Sequence, residues 1–188
     1  MWWREQRVEL FRLARVVIAL AAAGLTAGCF EPLYGRGPNP DGDSVHDKLA
    51  AVLIKQIPAH QGTEDARLAV GMHNALQFDL NGGAGANAPT HRLEVTLNST
   101  QVSVITDPVT GLTTAQVDGV TASYRLVEIA TGKVVFKDTS YAHVDTDIPG
   151  SQQRFAQQRA ERDAEDRAVQ AVAETIRNRL ASYFVAGT

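Results

Sequence analysis

The sequence is poor in cysteine and histidine, the residues that usually form disulfide bonds or bind metal ions. It has one cysteine, Cys29, in 188 residues, so no disulfide can form within the chain. Its five histidines are scattered and show none of the short spacings that zinc ligands require. The composition therefore favours a fold held by its hydrophobic core, and it gives no support to a metal site.

The sequence also lacks a run of basic residues and a long apolar segment. Its longest apolar stretch, Val16–Ala27, is shorter than the roughly 20 residues that span a bilayer. Residues 1–28 hold four arginines and two glutamates, and without them the net charge falls from −3 to about −5. A negative chain without a basic cluster is a poor partner for nucleic acid, and we expect none.

What the N-terminus does contain is typical of an export signal. Four arginines precede the apolar stretch, and small residues lead to Cys29 in the run Leu-Thr-Ala-Gly-Cys. This run resembles the processing site of bacterial lipoproteins, although Thr26 stands where a leucine is usual. The resemblance implies diacylglycerol on the Cys29 sulfur, cleavage before Cys29 and an acyl chain on the new amino group, which together anchor the chain to a membrane.

An ordinary secretory signal is the alternative, with cleavage near Ala23 and Cys29 left as a lone periplasmic thiol. A thiol without a disulfide partner is a liability in an oxidising compartment, and acylation of the sulfur would remove it. Phe30 follows the cysteine where lipoproteins kept in the inner membrane commonly have aspartate. We therefore predict a lipid anchor on the periplasmic face of the outer membrane.

Three regions follow from this interpretation: a signal peptide over residues 1–28, a lipidated flexible tether over residues 29–47, and one domain over residues 48–186. Prolines and glycines crowd the segment between Phe30 and Ser44 and disfavour helix and strand there. The 139 residues from 48 to 186 are enough for one ordinary domain and short for two.

Within the domain, the pattern of apolar residues predicts the order β-α-β-β-β-α. The apolar run Leu49–Ile57 predicts a first strand, and apolar residues at four-residue spacing predict a helix over about residues 63–80. Three segments of period two follow, beginning at His91, Thr113 and Val134, and predict an antiparallel meander. In the first of them the apolar parity changes, which predicts a bulge near residues 98–101 or a change of the covered face.

The C-terminal segment from Gln152 to Phe184 contains neither proline nor glycine and repeats apolar residues every four positions. This pattern predicts one helix about 45 Å long. The fold class is therefore an α/β (α+β) two-layer sandwich, with a mostly antiparallel four-stranded sheet and both long helices on one face.

No arrangement of residues indicates an enzyme. The acids Asp163, Glu165 and Asp166 alternate with arginines, as on a solvated helix face, and are a weak candidate for an acid–base pair. The glycines between Gly82 and Gly85 follow a helix and lack the Gly-Lys-Ser/Thr ending of a phosphate loop. A hydrolase stays a remote alternative, and no cofactor other than the covalent lipid is expected.

Three segments carry a resemblance to a known family. They are residues 28–35 (Gly-Cys-Phe-Glu-Pro-Leu-Tyr-Gly), residues 119–126 with the turn 130–135, and residues 160–164 leading to 176–181. Together with the element order they resemble the LptE family of lipopolysaccharide-assembly outer-membrane lipoproteins, in its alphaproteobacterial form. The glycine–alanine loop at residues 82–88 departs from that likeness.

The resemblance implies a non-enzymatic subunit that plugs the β-barrel LptD one-to-one, helps its assembly and assists delivery of lipopolysaccharide to the outer leaflet. Lipopolysaccharide phosphates would need cations, and the meander and its turn supply four: Arg92, Arg125, Lys133 and Lys137. These cations could instead merely solvate the open side of the sheet. A stand-alone periplasmic lipoprotein that binds an amphiphile or cell-wall polymer is the alternative function.

Overall fold

The computed structural model describes residues 44–86, 88–111, 113–147 and 153–186. In these ranges, three helices and four strands follow one another as α1 (Val45–Ala50), β1 (Val52–Ile54), α2 (Glu64–Asn81), β2 (His91–Thr106), β3 (Thr113–Glu128), β4 (Val134–Asp147) and α3 (Arg154–Ala186). The strands form one sheet in the order β1-β2-β3-β4, in which β1 runs parallel to β2 and the other pairs are antiparallel. The predicted fold class and element order are confirmed, and α1 is an additional short helix in front of them.

The prediction of a strand over Leu49–Ile57 is wrong in its bounds. The first part of the apolar run belongs to α1, and only Val52–Ile54 form β1. Ser44 starts α1 with a capping box: its Oγ accepts a hydrogen bond from the backbone N–H of Asp47, and the Asp47 carboxylate accepts one from the Ser44 backbone. An apolar run does not by itself distinguish a buried helix from a buried strand.

Helix α2 has the bounds that its apolar spacing predicts. The Thr63 side chain accepts a hydrogen bond from the backbone N–H of Ala66 and caps the first turn. The buried face consists of Leu68, Ala69, Met72, Leu76 and Leu80. At the other end, Gly82 adopts a left-handed conformation with φ of 63°, which glycine adopts at little cost.

The meander is confirmed, but the irregularity in β2 lies further along than predicted. β2 pairs with β3 without interruption from His91 to Ser103, and the register shifts fall between Ser103 and Thr106. No bulge is needed at residues 98–101, because Val102 and Val104 lie on the open face of the sheet and are 56% and 59% exposed. Their apolar character therefore reflects an uncovered surface and not a second core.

Helix α3 is a single helix of 33 residues, about 50 Å long. It packs on β3, β4 and α2, so that both long helices cover the same face of the sheet. Four alanines on its inner side, Ala164, Ala168, Ala173 and Ala181, are fully buried and let the helix approach its neighbours closely. Between them Val172, Ile176 and Leu180 supply the larger core side chains.

Arg67 joins the two long helices at one end. Its guanidinium contacts Glu64 on its own helix and both Glu165 and Asp166 on α3. Burial raises the pKa of Glu165 above its ordinary value, the charge of Arg67 opposes the shift, and the carboxylates of Glu64 and Asp118 add to it. The contact thus fixes the position of the less buried half of α3 against α2.

A polar network replaces the apolar core under this half of α3. The Asp118 carboxylate is 2% exposed and accepts hydrogen bonds from Gln101 Nε2 at 3.2 Å, Gln116 Nε2 at 3.2 Å and Thr146 Oγ1 at 2.8 Å. Gln116 and Thr146 are themselves buried. A buried carboxylate needs such donors, because an unpartnered charge in the interior is strongly destabilising.

His91 makes folding stability depend on pH near neutrality. Its ring meets the Phe184 ring edge-on, with the centroids 5.3 Å apart. Burial lowers the pKa of His91 below its ordinary value of 6.5, and the Glu128 carboxylate partly opposes the shift. His91 therefore binds a proton more readily in the unfolded chain than in the folded chain. The contribution of neutral His91 to folding stability is complete above pH 6.5 and is lost as the pH falls below it.

We expect His91→Gln to reduce this loss. Urea unfolding of both chains at pH 7.5 and pH 5.5 checks the prediction, and the wild type should lose more stability between the two values than the variant. Equal losses would show that other groups account for the pH dependence.

Candidate functional site

The face of the sheet opposite the helices carries a row of charged side chains, one from each strand or its end. Glu94 on β2 is the register partner of Arg125 on β3, and Arg125 is the partner of Lys137 on β4. Lys55 follows β1, and its backbone N–H donates to the Leu93 carbonyl, which places it beside Glu94. Sheet pairing thus aligns residues from four distant parts of the sequence.

Glu94 is the centre of this row. We call the four cations around it, Lys55, Arg92, Arg125 and Lys137, the cationic row. Its carboxylate accepts from Arg92 Nε at 3.0 Å, Arg125 Nε at 2.6 Å and Lys55 Nζ at 3.5 Å. The hydrogen bond from Arg125 lowers the pKa of Glu94, and the charge of Lys55 adds to the effect. The Glu94 side chain is only 13% exposed, whereas the three cations are far more exposed. One carboxylate therefore orients three cations while leaving the row with an excess of positive charge.

A shallow depression of about 610 Å³ opens beside this row on β2, β3 and β4. Its size lies in the range of small-molecule sites, although it is more open than an enclosed pocket. Arg125 and Lys137 share its surface with the carboxylates of Glu94 and Asp138 and with several hydroxyls, so its chemistry suits a polar ligand whose anionic groups contact the two cations. The lining residues are Glu94, Thr96, Ser123, Tyr124, Arg125, Lys137, Asp138 and Thr139.

The structure brings three of the four cations predicted from the sequence to this face. Arg92 and Arg125 share Glu94, and Lys137 lies opposite Arg125 on β4. Lys133 lies in the turn between β3 and β4, where its backbone carbonyl accepts from the Glu128 N–H at 2.9 Å. Sequence reasoning missed Lys55 and Glu94, because only the parallel pairing of β1 with β2 shows that they are neighbours.

Other candidate features of the sequence take simpler positions. Gly82, the first of the glycines that follow residue 81, caps the C-terminus of α2. In the part of the chain that the structure describes, no three His, Cys, Asp or Glu side chains are grouped so as to hold a metal ion. Within the same ranges, no helix combines the length and apolar character needed to cross a membrane. Cys29, the signal peptide and most of the tether lie outside the described residues, so lipid attachment and the domain boundaries stay predictions.

Comparison with known proteins finds a matching family and similar solved structures. Residues 50–180 match LptE, a family described as lipopolysaccharide-assembly. The structure is similar to that of a protein described as a lipoprotein from Caulobacter crescentus CB15, with a TM-score of 0.60 and 16% identity over 78% of this chain and 98% of that one. It is also similar to rare lipoprotein B from Shewanella oneidensis, with a TM-score of 0.52 and 13% identity over 72% of this chain and 96% of that one. At these identities the two structures show a shared fold alone, and no curated protein matches the chain by sequence.

Proposed function

Because this chain belongs to the LptE family, whose members are lipopolysaccharide-assembly proteins, we propose that it is a lipoprotein subunit of an outer-membrane lipopolysaccharide translocon. In this proposal acyl chains on Cys29 hold it to the periplasmic face of the outer membrane. One copy seats in an LptD-type β-barrel, helps that barrel to assemble and assists lipopolysaccharide on its way to the outer leaflet. The role is non-enzymatic.

The cationic row is the observation that carries the lipopolysaccharide part of the proposal. Phosphate groups are bound best by guanidinium and ammonium groups held in place beforehand. Arg92, Arg125 and Lys55 are oriented by one carboxylate, and Lys137 extends the row on β4. The chain as a whole is negative, so this positive charge is a local feature and not a consequence of composition. We assign Arg92, Arg125, Lys137 and Lys55 to the lipid phosphates, and Lys133 stays a weaker candidate.

Two features support a barrel partner. A two-layer domain of this size is a reasonable object for a wide lumen, and barrel interiors are polar. The outer side of α3, with exposed residues such as Arg167, Gln170 and Glu174, offers hydrogen-bonding and charged groups to such a surface.

The test of the cationic row replaces Arg125 and Lys137 with glutamine. We expect the double variant to bind purified lipopolysaccharide about tenfold more weakly and with a shallower salt dependence, because two phosphate-binding charges are lost. The matched control is Arg154→Gln with Arg159→Gln, which removes two exposed charges from the start of α3. Equal weakening in both double variants would show that only net charge matters, and it would remove the assignment. Thermal unfolding of each variant establishes that the fold is kept.

A separate experiment tests the partner. A tag on the C-terminus and extraction of outer membranes in mild detergent should recover a large β-barrel in equal amount with an acylated form of this chain. Recovery of the acylated chain alone would contradict the barrel proposal.

Recovery of the acylated chain without a barrel would favour the alternative function, a stand-alone lipoprotein that binds an amphiphile. One feature is in its favour, a groove of about 760 Å³ between residues 55–61 and α2. Its lining includes apolar side chains such as Ile57, Ala69 and Val70. Apolar grooves of this size are common ligand sites, so this function is the second candidate.

A further inference from the structure

The open face of the sheet changes character beyond the cationic row. Moving along the strands away from Arg125, the next three cross-strand rows on this face contain no lysine, arginine, aspartate or glutamate. Six of their side chains, Asn98, Thr100, Thr121, Thr139, Tyr141 and His143, form what we call the neutral strip. Asn98, Thr121 and Tyr141 lie side by side in one row across β2, β3 and β4.

Two aromatic rings stand on this strip. The Tyr141 and His143 ring centroids are 5.5 Å apart, with the planes inclined at 46°. Tyr141 is 68% exposed, although it lies in the middle of a long strand and not at a turn. Burial of its ring would be favourable, so a ligand that covers Tyr141 would gain free energy from the contact.

Gly119 leaves space above β3 for the side chains of its two cross-strand partners, Thr100 and His143. A Cβ atom at this position would lie 2.6 Å from Thr100 Oγ1 and 2.7 Å from His143 Nδ1. Only glycine lets the hydroxyl of β2 and the imidazole of β4 converge above the backbone of the strand between them. The result is a set of hydrogen-bonding groups held together beside the Tyr141 ring.

This chemistry matches a sugar better than it matches a charged or an apolar ligand. Hydroxyl and amide side chains both donate and accept, as sugar hydroxyls do. An exposed aromatic ring offers an apolar surface to the C–H face of a pyranose while its hydroxyl stays wet. An ordinary solvated sheet face would carry charged residues among its polar ones, and these rows carry none.

We propose that the neutral strip binds the saccharide part of an anionic glycolipid whose phosphates lie on the cationic row. Tyr141 is four residues from Lys137 along β4, a distance of about 13 Å, and the 610 Å³ depression extends from Lys137 to Thr139 of the neutral strip, one row short of Tyr141. Charge complementarity orients the ligand, with the phosphorylated end at Arg125 and Lys137 and the neutral sugars toward Tyr141. The identity of the glycolipid rests on the proposed function, whereas the sugar specificity of the strip does not.

The test uses the full chain purified in mild detergent and lipopolysaccharide oligosaccharide that has been deacylated and dephosphorylated. The carboxylates of its acidic sugars are converted to methyl esters, so the probe carries no negative charge that the cationic row could hold. We expect calorimetric titration to detect binding, Tyr141→Ala to weaken it about tenfold, and Tyr141→Phe to stay within about twofold because the ring is kept. Val109→Ala, which shortens another exposed side chain in the turn after β2, should leave binding unchanged.

Two results would overturn the proposal: no binding of the oligosaccharide, or equal binding by the wild type and Tyr141→Ala. A photo-crosslinker at position 141 that attaches to a barrel protein in cells, combined with absent oligosaccharide binding, would assign the strip to a protein contact instead. The variant lacking the Arg125 and Lys137 charges separates the two proposals, because it should bind the dephosphorylated oligosaccharide normally. If that variant also binds intact lipopolysaccharide normally, the phosphate assignment fails while the sugar strip stands.

Discussion

Replacing Ile176 with alanine is expected to lower the free energy of unfolding by about 4 kcal/mol. Ile176 is completely buried on the inner side of α3, between Val172 and Leu180, in the cluster that joins both long helices to the sheet. Alanine removes three carbon atoms, and closely packed neighbours on several sides can fill the resulting cavity only in part. Urea unfolding followed by far-ultraviolet circular dichroism measures the loss.

Gln170→Ala is the matched control for this change. Gln170 lies on the exposed side of the same helix, and alanine favours helix slightly more than glutamine does. Its unfolding free energy should change by no more than about 0.5 kcal/mol. A small effect of Ile176→Ala, comparable to that of Gln170→Ala, would mean that α3 does not close the core as the structure describes.

Replacing Asp118 with alanine is expected to cost about 3 kcal/mol, although the change makes the interior less polar. The carboxylate is the common acceptor for Gln101, Gln116 and Thr146, and two of these three donors are buried. Without it, their N–H and O–H groups lose partners that water cannot easily replace under α3.

Asp118→Asn separates the hydrogen-bond network from the simple filling of space. Asparagine keeps the shape and one oxygen acceptor but presents an amide group where a second acceptor stood. We expect a loss between zero and that of alanine, about 1–2 kcal/mol. If alanine is tolerated as well as asparagine, Asp118 is not the acceptor on which this part of the fold depends.

The long helices could be predicted from the sequence because their apolar spacing is local. Four-residue repeats in α2 and α3 specify one buried stripe whatever surrounds them, and the bounds of both agree with the structure to within about two residues. The first strand could not be predicted in the same way, because an apolar run of nine residues fits a helix and a strand equally. The Ser44 capping box decided between them, and its signal was a polar pair outside the run.

The candidate site was partly predictable for a related reason. Strand alternation places Arg125 and Lys137 on the side of the sheet opposite Tyr124 and Leu126. Lys55 and Glu94 are brought together by register between strands that α2 separates in sequence, which no local pattern encodes. Asp118 was missed although it has the same parity as Val120, because a polar residue at that spacing is more often a sign that the core has ended.

The position of α3 after all the strands that it covers has a consequence for the order of events during synthesis. This helix supplies nine buried side chains, and among the residues that the structure describes β3 and β4 have no other long helix to cover their apolar face. Until α3 has left the ribosome, the sheet cannot bury that face, and a stable fold is out of reach. If the export signal predicted at the N-terminus is present, this delay would be useful, because the polypeptide would reach the translocation channel unfolded and would close its core only on the far side.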